Sequence, residues 1–394
     1  MKTQLGISVY PDMAPIEEIV DYFKLASQYD VDFVFTSMFS VEGNKEQVLS
    51  YFDKLIQEAH KYNLKVMLDV NPKCFATVEA DYDNLETFHQ IGADILRMDF
   101  SYGKEKNKVL INNPYGIEIV FNASMDVIEG LTECGIEEEK INACHNFYPQ
   151  RYTAKKWDAF QEENKAFKAL APNMKVGAFL SSNNRPSHGV WDAVVGLPTV
   201  EMMRDYPIDL QARLLLGTGN VDYLCIGNAY ALASEFEALQ DVLEVEEFNE
   251  ETMGPIVKAL LEFLNSKTKP TVKKIRIDLH EQISDLEKEI LFDFGPHIDV
   301  GDSSEWIWRT RIPRFKYNTS EYSIPCRPED ADYFQPGDVV IVNDNYAHYR
   351  GEIQIVRIPI INDGTRNLVG HINNEEFYLF QLVNDGDCIR FLHS

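Results

Sequence analysis

The sequence predicts an α/β architecture, a (β/α)8 TIM barrel followed by a small, mostly β domain, and three observations support it. Short apolar or β-branched runs alternate with helix-period segments as far as about residue 240. There are eight such runs, most followed by a helix, which is the arithmetic of a closed parallel barrel. Beyond the break at Lys269-Pro270 the runs become short and strand-like. A catalytic barrel domain over 1–268 and a β-rich domain over 269–394 are therefore expected.

The predicted barrel strands are 5–10, 33–37, 65–70, 95–99, 118–122, 141–148, 175–180 and 223–227. Helices are expected at 16–28, 45–62, 85–91, 125–134, 155–170, 209–218 and 234–243. A dinucleotide-binding sheet would carry a glycine-rich first turn, but the first strand runs into Tyr10-Pro11-Asp12 instead. The rest of the chain opens with a helical stretch over 253–266. It then reads as strands at 273–279, 307–312, 339–342, 353–359, 376–382 and 387–392. Pro336-Gly337-Asp338, Asn362-Asp363-Gly364 and Asn384-Asp385-Gly386 punctuate them, as in a small barrel or sandwich.

Composition narrows the function. With 394 residues, 45% of them hydrophobic, the chain buries a substantial core. A formal charge of −26 argues against nucleic acid as a partner, and any anionic ligand then needs a locally basic exception. The sequence contains no run apolar enough to cross a bilayer and no signal-like basic start, so a cytoplasmic protein without a membrane partner is expected. The six cysteines show no CxxC pair and no shared spacing with histidines, so neither a metal nor a cofactor is expected.

Polar residues collect at the C-terminal ends of the predicted strands, the face on which such barrels carry their chemistry. The ends read Ser8-Val9-Tyr10, Thr36-Ser37, Leu68-Asp69-Val70-Asn71, Arg97-Met98-Asp99, Asn122-Ala123-Ser124, His145-Asn146-Phe147-Tyr148-Pro149 and Gly227-Asn228. Asp69 and Asp99 follow apolar strand cores, where an unpaired charge is costly. Either Asp99 pairs with Arg97 or caps a helix, or the two carboxylates do acid–base work on a polar substrate. Ser8, Tyr10, Arg97, Asn122, His145, Asn146, Tyr148 and Asn228 are then the candidate binding groups, His145 chiefly as a positioning residue. Cys144 and His145 do not form a dyad, because adjacent strand residues face opposite sides.

Two further constellations carry charge. Glu201 and Arg204 lie three apart, either as an ion pair on one helical face or as a third carboxylate and an anion ligand. Arg309, Arg311 and Arg314 form a basic cluster in the small domain. They are a solvated face, or an anion clamp if that domain closes over the barrel mouth.

The pieces Gly6-Ile7-Ser8-Val9-Tyr10-Pro11, Thr36-Ser37-Met38-Phe39-Ser40-Val41-Glu42-Gly43, Cys144-His145-Asn146-Phe147-Tyr148-Pro149-Gln150-Arg151-Tyr152-Thr153 and Ile226-Gly227-Asn228-Ala229-Tyr230 resemble the MupG-like 6-phospho-N-acetylmuramidases over nearly the whole chain. The resemblance implies a TIM barrel followed by a cyclophilin-like β domain. It also implies a cytoplasmic glycoside hydrolase that splits N-acetylmuramic acid 6-phosphate from N-acetylglucosamine during recycling of cell-wall fragments. Two positions depart from the family pattern: Ala154 stands where Gly is usual and Met203 where His is more common, which points to altered sugar specificity.

On this reading Asp69, Asp99 and Glu201 are the catalytic carboxylates, one protonating the leaving oxygen. An Asp or Asn122 holds a 2-acetamido group for substrate-assisted catalysis, with Tyr148 supporting it, and Asn146 and Asn228 bind hydroxyls. Arg204, with Arg309 or Arg311, holds the phosphate or the lactyl carboxylate. Two other classes stay open. One is a sugar-phosphate isomerase, aldolase or lyase, although Lys65 and Lys175 lie at strand starts and leave no mouth lysine for a Schiff base. The other is a carbohydrate-binding protein without activity.

Overall fold

The structure, a computed structural model, describes residues 3–38, 41–190, 194–244, 272–327, 331–384 and 386–393. Two compact units divide the chain, Met1–Glu244 and Val245–Ser394. The helix expected at 253–266 and the boundary expected at 268 lie outside the described residues.

In the first unit eight parallel strands close into a barrel in sequence order. They are β1 (Gln4–Val9), β2 (Phe33–Ser37), β3 (Lys65–Val70), β4 (Ile95–Met98), β5 (Glu118–Asn122), β6 (Asn142–Cys144), β7 (Lys175–Leu180) and β8 (Tyr223–Ile226). β1 closes the ring by pairing with β2 through Gly6↔Phe33 and with β8 through Leu5↔Leu224. Nine helices are described around it: α1 (Ile16–Ala26), α2 (Lys45–His60), α3 (Pro72–Val78), α4 (Glu86–Gln90), α5 (Lys104–Ile111), α6 (Met125–Glu133), α7 (Trp157–Leu170), α8 (Ile208–Gly217) and α9 (Ala233–Leu243).

Side chains two apart along each strand face the same way. One set, including Phe33, Phe35, Met67, Ile95, Val120 and Phe179, fills the barrel with a single apolar cluster. Each such side chain removed from water contributes roughly 1.5–3 kcal/mol. Two glycines make room for its rings. A Cβ on Gly6 would lie 2.3 Å from the Phe33 ring, and one on Gly177 would lie 2.2 Å from the Tyr223 ring. The Tyr223 hydroxyl donates to Asn142 Oδ1 at 2.9 Å, which satisfies the phenol inside the barrel.

Three differences from expectation concern this unit. The sixth strand stops at Cys144 rather than at 148 because the chain changes partners there. The His145 N–H still reaches Gly177 O at 3.0 Å, but the Tyr148 N–H bonds to Pro198 O at 3.2 Å. The expectation also missed α3, where Asn71 caps the helix by accepting from the Cys74 N–H at 3.0 Å and Pro72 opens it. Likewise missed was α5, which follows Gly103.

The second unit is mostly β. Its main sheet runs β10-β17-β9-β16-β13-β14-β11, and β12 and β15 form a separate pair. These are β9 (Val272–Leu279), β10 (His297–Ile298), β11 (Ile307–Thr310), β12 (Tyr333–Phe334), β13 (Asp338–Val342), β14 (Ile353–Val356), β15 (Ile360–Ile361), β16 (Arg366–His371) and β17 (Cys388–His393). The strand expected at 376–382 is instead a helix, Asn374–Phe380. Asn373 caps it by accepting from the Glu376 N–H at 3.0 Å, and it buries Glu376, Leu379 and Phe380 at helical spacing. The sequence expectation also lacks the short strands β10, β12 and β15, and β16.

Candidate active site

β3, β4 and β5 bring four of the expected residues into one hydrogen-bonded chain at the C-terminal mouth. Arg97 Nη1 donates to Asp69 Oδ1 at 2.6 Å, and both residues are buried. Arg97 Nη2 donates to the side-chain oxygens of Asn122 and Asn146. Asn122 Nδ2 in turn donates to Asp99 Oδ1 at 2.8 Å. Asp69 and Arg97 form the floor, Asn122 is half-buried, and Asp99 and Asn146 are exposed. The alternation of the strands places Asp69, Arg97, Asn122 and Asn146 on the inward side, two residues beyond the apolar layer of Met67, Ile95, Val120 and Cys144 in β3, β4, β5 and β6, with Asp99 two residues further along than Arg97.

The electrostatics of this floor pull in two directions. Burial raises the Asp69 carboxyl above its ordinary range, Arg97 lowers it in part, and Asp99 adds to the rise. Arg97 stays charged, because Asp69 and its other neighbours more than offset the cost of burial. Asp69 Oδ2 accepts no hydrogen bond among the described residues. The mouth thus offers a buried carboxyl with one oxygen uncommitted, beside an exposed carboxylate steered by an amide.

The other predicted residues sit elsewhere. Ser8 and Tyr10 are fully buried: Ser8 Oγ lies 3.6 Å from Cys225 Sγ, and the Tyr10 hydroxyl donates to Gly227 O. His145 has the opposite parity to Cys144 and Asn146, and the structure turns it outward beneath α7. There its Nε2 meets Asn164 Oδ1 at 2.8 Å and its ring lies against Phe160 and Phe167. Burial depresses its pKa to about 3, with the Asn164 bond opposing. Asn228 also points away from the mouth. It extends the β7–β8 ladder with its amide, accepting from the Ser182 N–H at 2.8 Å and donating to Ser182 O at 3.0 Å.

Glu201 and Arg204 form the ion pair that their spacing allowed. Arg204 Nε and Nη2 bind the two Glu201 oxygens at 2.8 and 2.7 Å. Its remaining donors go to Tyr148 O and Gly196 O at 3.0 Å, to Gln150 O at 3.2 Å and to Val195 O at 3.3 Å. Glu201 also accepts from the N–H groups of Tyr152 at 2.7 Å and Ala154 at 3.0 Å. Burial opposes ionisation, but Arg204 and these N–H groups dominate and hold Glu201 at about 2. The pair clamps the segments after β6 and β7 together. Ala154 supplies one N–H to this clamp, and Met203, between Glu201 and Arg204 in sequence, is buried.

Arg309 and Arg311 belong to the second unit, where Arg309 donates to the buried Glu352 at 2.8 Å and Arg311 lies 3.4 Å from Asp302. Among the described residues no group of histidine, cysteine, aspartate and glutamate is placed to hold a metal ion.

The end of β7 adds residues not expected from the sequence. Ser181, Ser182, Asn183, Asn184, Arg185 and Ser187 follow it, and with Arg151, Val194, Val195, Gly196, Arg204 and Asp205 they line a cleft of about 730 Å3. The rule used for the other strand ends finds these residues directly. Glu235 organises them: it accepts from Ser182 Oγ at 2.7 Å and from the Asn183 N–H at 2.8 Å.

Comparison with known proteins bears on this site. The chain matches the model of the 6-phospho-N-acetylmuramidase N-terminal domain over residues 5–241 and that of the C-terminal domain over residues 273–392. No curated protein matches. Among solved structures, an uncharacterised B. cereus protein is 28% identical with a TM-score of 0.80, each chain covered in full. A conserved Enterococcus faecalis protein of unknown function is 20% identical with a TM-score of 0.61, over 100% of this chain and 97% of that one, a likeness of fold. Barrel, β-rich unit and carboxylate-lined mouth thus go with two family models that together span most of the sequence, and the chain belongs to the 6-phospho-N-acetylmuramidase family of glycoside hydrolases.

Proposed function

We propose that this glycoside hydrolase cleaves the bond between N-acetylmuramic acid 6-phosphate and N-acetylglucosamine, and that it does so in the cytoplasm during turnover of cell-wall fragments. The observation that carries the reading is the chain Asp69–Arg97–Asn122–Asp99 across the barrel mouth. Glycosidic cleavage needs one carboxyl that still holds its proton and a second that is ionised. Asp69 suits the first role, because burial raises it and its Oδ2 is uncommitted. It protonates the oxygen leaving with N-acetylglucosamine as the bond from the anomeric carbon breaks. Asp99 suits the second role, acting on the group that attacks that carbon while Asn122 fixes its direction. Arg97 keeps the two roles apart by holding Asp69 Oδ1 and the amides of Asn122 and Asn146 in place.

Glu201 has no proton to give near neutral pH and serves the reading as a positioning residue. The cytoplasmic setting is supported by six unpaired cysteines and by the lack, among the described residues, of a helix long and apolar enough to cross a membrane.

The test is incubation of the full chain with the 6-phosphorylated disaccharide and mass analysis of the products. Two sugars whose masses sum to the substrate plus one water support the reading. Loss of the lactyl ether, an isomerised sugar or binding without turnover each overturns it.

A further inference from the structure

Of the five arginines in the first unit, four are paired: Arg97 with Asp69, Arg151 with Asp205, Arg204 with Glu201 and Arg213 with Asp209. Arg185 is the fifth. It is exposed, it lines the cleft beyond β7, and its guanidinium has no acidic partner among the described residues. An uncompensated arginine on the wall of a concave site is notable in a chain of formal charge −26.

We propose that the cleft beyond β7 is the phosphate subsite, with Arg185 as the principal ligand of the substrate's 6-phosphate. This rests on the glycosidase reading above and supplies the locally basic exception which that reading requires. Arg204, the anion ligand expected from the sequence, has all three guanidinium nitrogens committed to Glu201 and backbone carbonyls. Arg309 and Arg311 are held by carboxylates of their own unit. Arg185 keeps its planar fork free for bidentate contact with phosphate oxygens.

The wall around Arg185 is built for close approach. Gly196 has φ of +80°, and a Cβ there would lie 2.0 Å from Ser181 Oγ, so only glycine brings the backbone this near. Among the described residues the Gly196 N–H has no acceptor, while its carbonyl is held by Arg204 at 3.0 Å. Ser187 is buried and its oxygen accepts from Asn228 Nδ2 at 2.6 Å, which leaves its own hydrogen to donate. At the rim Arg151 holds Asp205 at 2.5 and 3.1 Å, an exposed pair that a phosphate dianion competes for.

Arg204, which lines the cleft, donates from Nη1 to Tyr148 O at 3.0 Å, two residues beyond the Asn146 whose side chain reaches Arg97 on the carboxylate floor. Loops after the seventh and eighth strands are where barrels of this class commonly take phosphate. The volume of about 730 Å3 suits a sugar phosphate.

The test compares the wild-type full chain with Arg185→Ala and Arg185→Lys, whose exposed position leaves the core untouched. The proposal expects Arg185→Ala to lower kcat/KM for the phosphorylated disaccharide roughly ten- to hundredfold, the cost of one charge-assisted contact, with Arg185→Lys between the two. Binding of N-acetylglucosamine 6-phosphate weakens alike, and that of unphosphorylated N-acetylmuramic acid does not change. Unaltered binding of the phosphorylated ligand overturns the proposal. So does equal weakening of unphosphorylated N-acetylmuramic acid, which would assign Arg185 to the lactyl carboxylate. Inorganic phosphate separates the two levels of the argument. If the wild type cleaves nothing, the glycosidase reading fails, yet phosphate binding to the wild type and not to Arg185→Ala still supports the subsite. Equal phosphate binding by both sinks it.

Discussion

Arg97 binds Asp69 and not Asp99, although Asp99 lies two residues away on the same strand line and Asp69 comes from the neighbouring strand. The register explains the choice. Asp69 and Arg97 are direct partners across β3 and β4, so the guanidinium meets the carboxylate without bending back along its own strand. Asp99 is left to Asn122 and stays exposed. Two carboxyls of the same residue type thereby sit in unlike surroundings, Asp69 buried and raised by burial and Asp99 facing solvent, the asymmetry that acid–base catalysis uses.

The two aspartates therefore fail differently when altered. Asp99→Asn removes an exposed charge, so the fold is expected to survive while kcat drops roughly 10²- to 10⁴-fold, the usual worth of a lost acid–base partner. Asp69→Asn matches the protonated carboxyl in charge, so turnover is lost at every pH, whereas stability falls below the wild type, by up to about 3–5 kcal/mol, only as rising pH ionises the wild-type Asp69 beside buried Arg97. Thermal unfolding and steady-state assays on both variants check this. Near-normal turnover by Asp99→Asn removes it from the mechanism.

Glu201→Gln separates a clamp from a catalyst. With the carboxylate held at about 2, its protonation has no part in turnover at working pH. The amide still accepts one N–H but leaves the buried Arg204 without compensation, so unfolding shifts to lower temperature by an amount corresponding to about 3–5 kcal/mol. The activity that survives keeps the wild-type pH profile in shape. A profile that loses one limb in this variant shows that Glu201 transfers a proton after all.

The barrel was legible because its signal is repeated eight times and each repeat is a simple period. What was lost lay where one side chain redirects the backbone. Asn71 and Asn373 start helices that read as strand ends or strands, since a cap outweighs local propensity. The strand parity that keeps Cys144 and His145 from forming a dyad also sends His145 and Asn228 away from the mouth that Asn146 faces. Which partner Arg97 selects was not legible, because it depends on the register of β3 against β4.

His145 gives the molecule an acid-sensitive point that is separate from catalysis. Its folded value of about 3 lies far below the 6.5 of a free imidazole. The unfolded chain therefore takes up this proton first as the pH falls. The stabilisation from a neutral His145 is fully present above about pH 6.5 and is lost progressively towards pH 3, by up to about 1.4 kcal/mol per pH unit. His297, buried in the second unit and depressed to about 4, acts in the same sense. His145→Gln cannot take up the proton, so it is expected to be less stable at pH 7, where the ring packing is lost, and to show a shallower decline between pH 6.5 and 4. Melting temperatures across that range check the slope. The pH profile of kcat/KM between 5 and 8 is expected to keep its shape in this variant, because a group titrating near 3 beneath α7 contributes to neither limb. A displaced acid limb would put His145 back at the substrate.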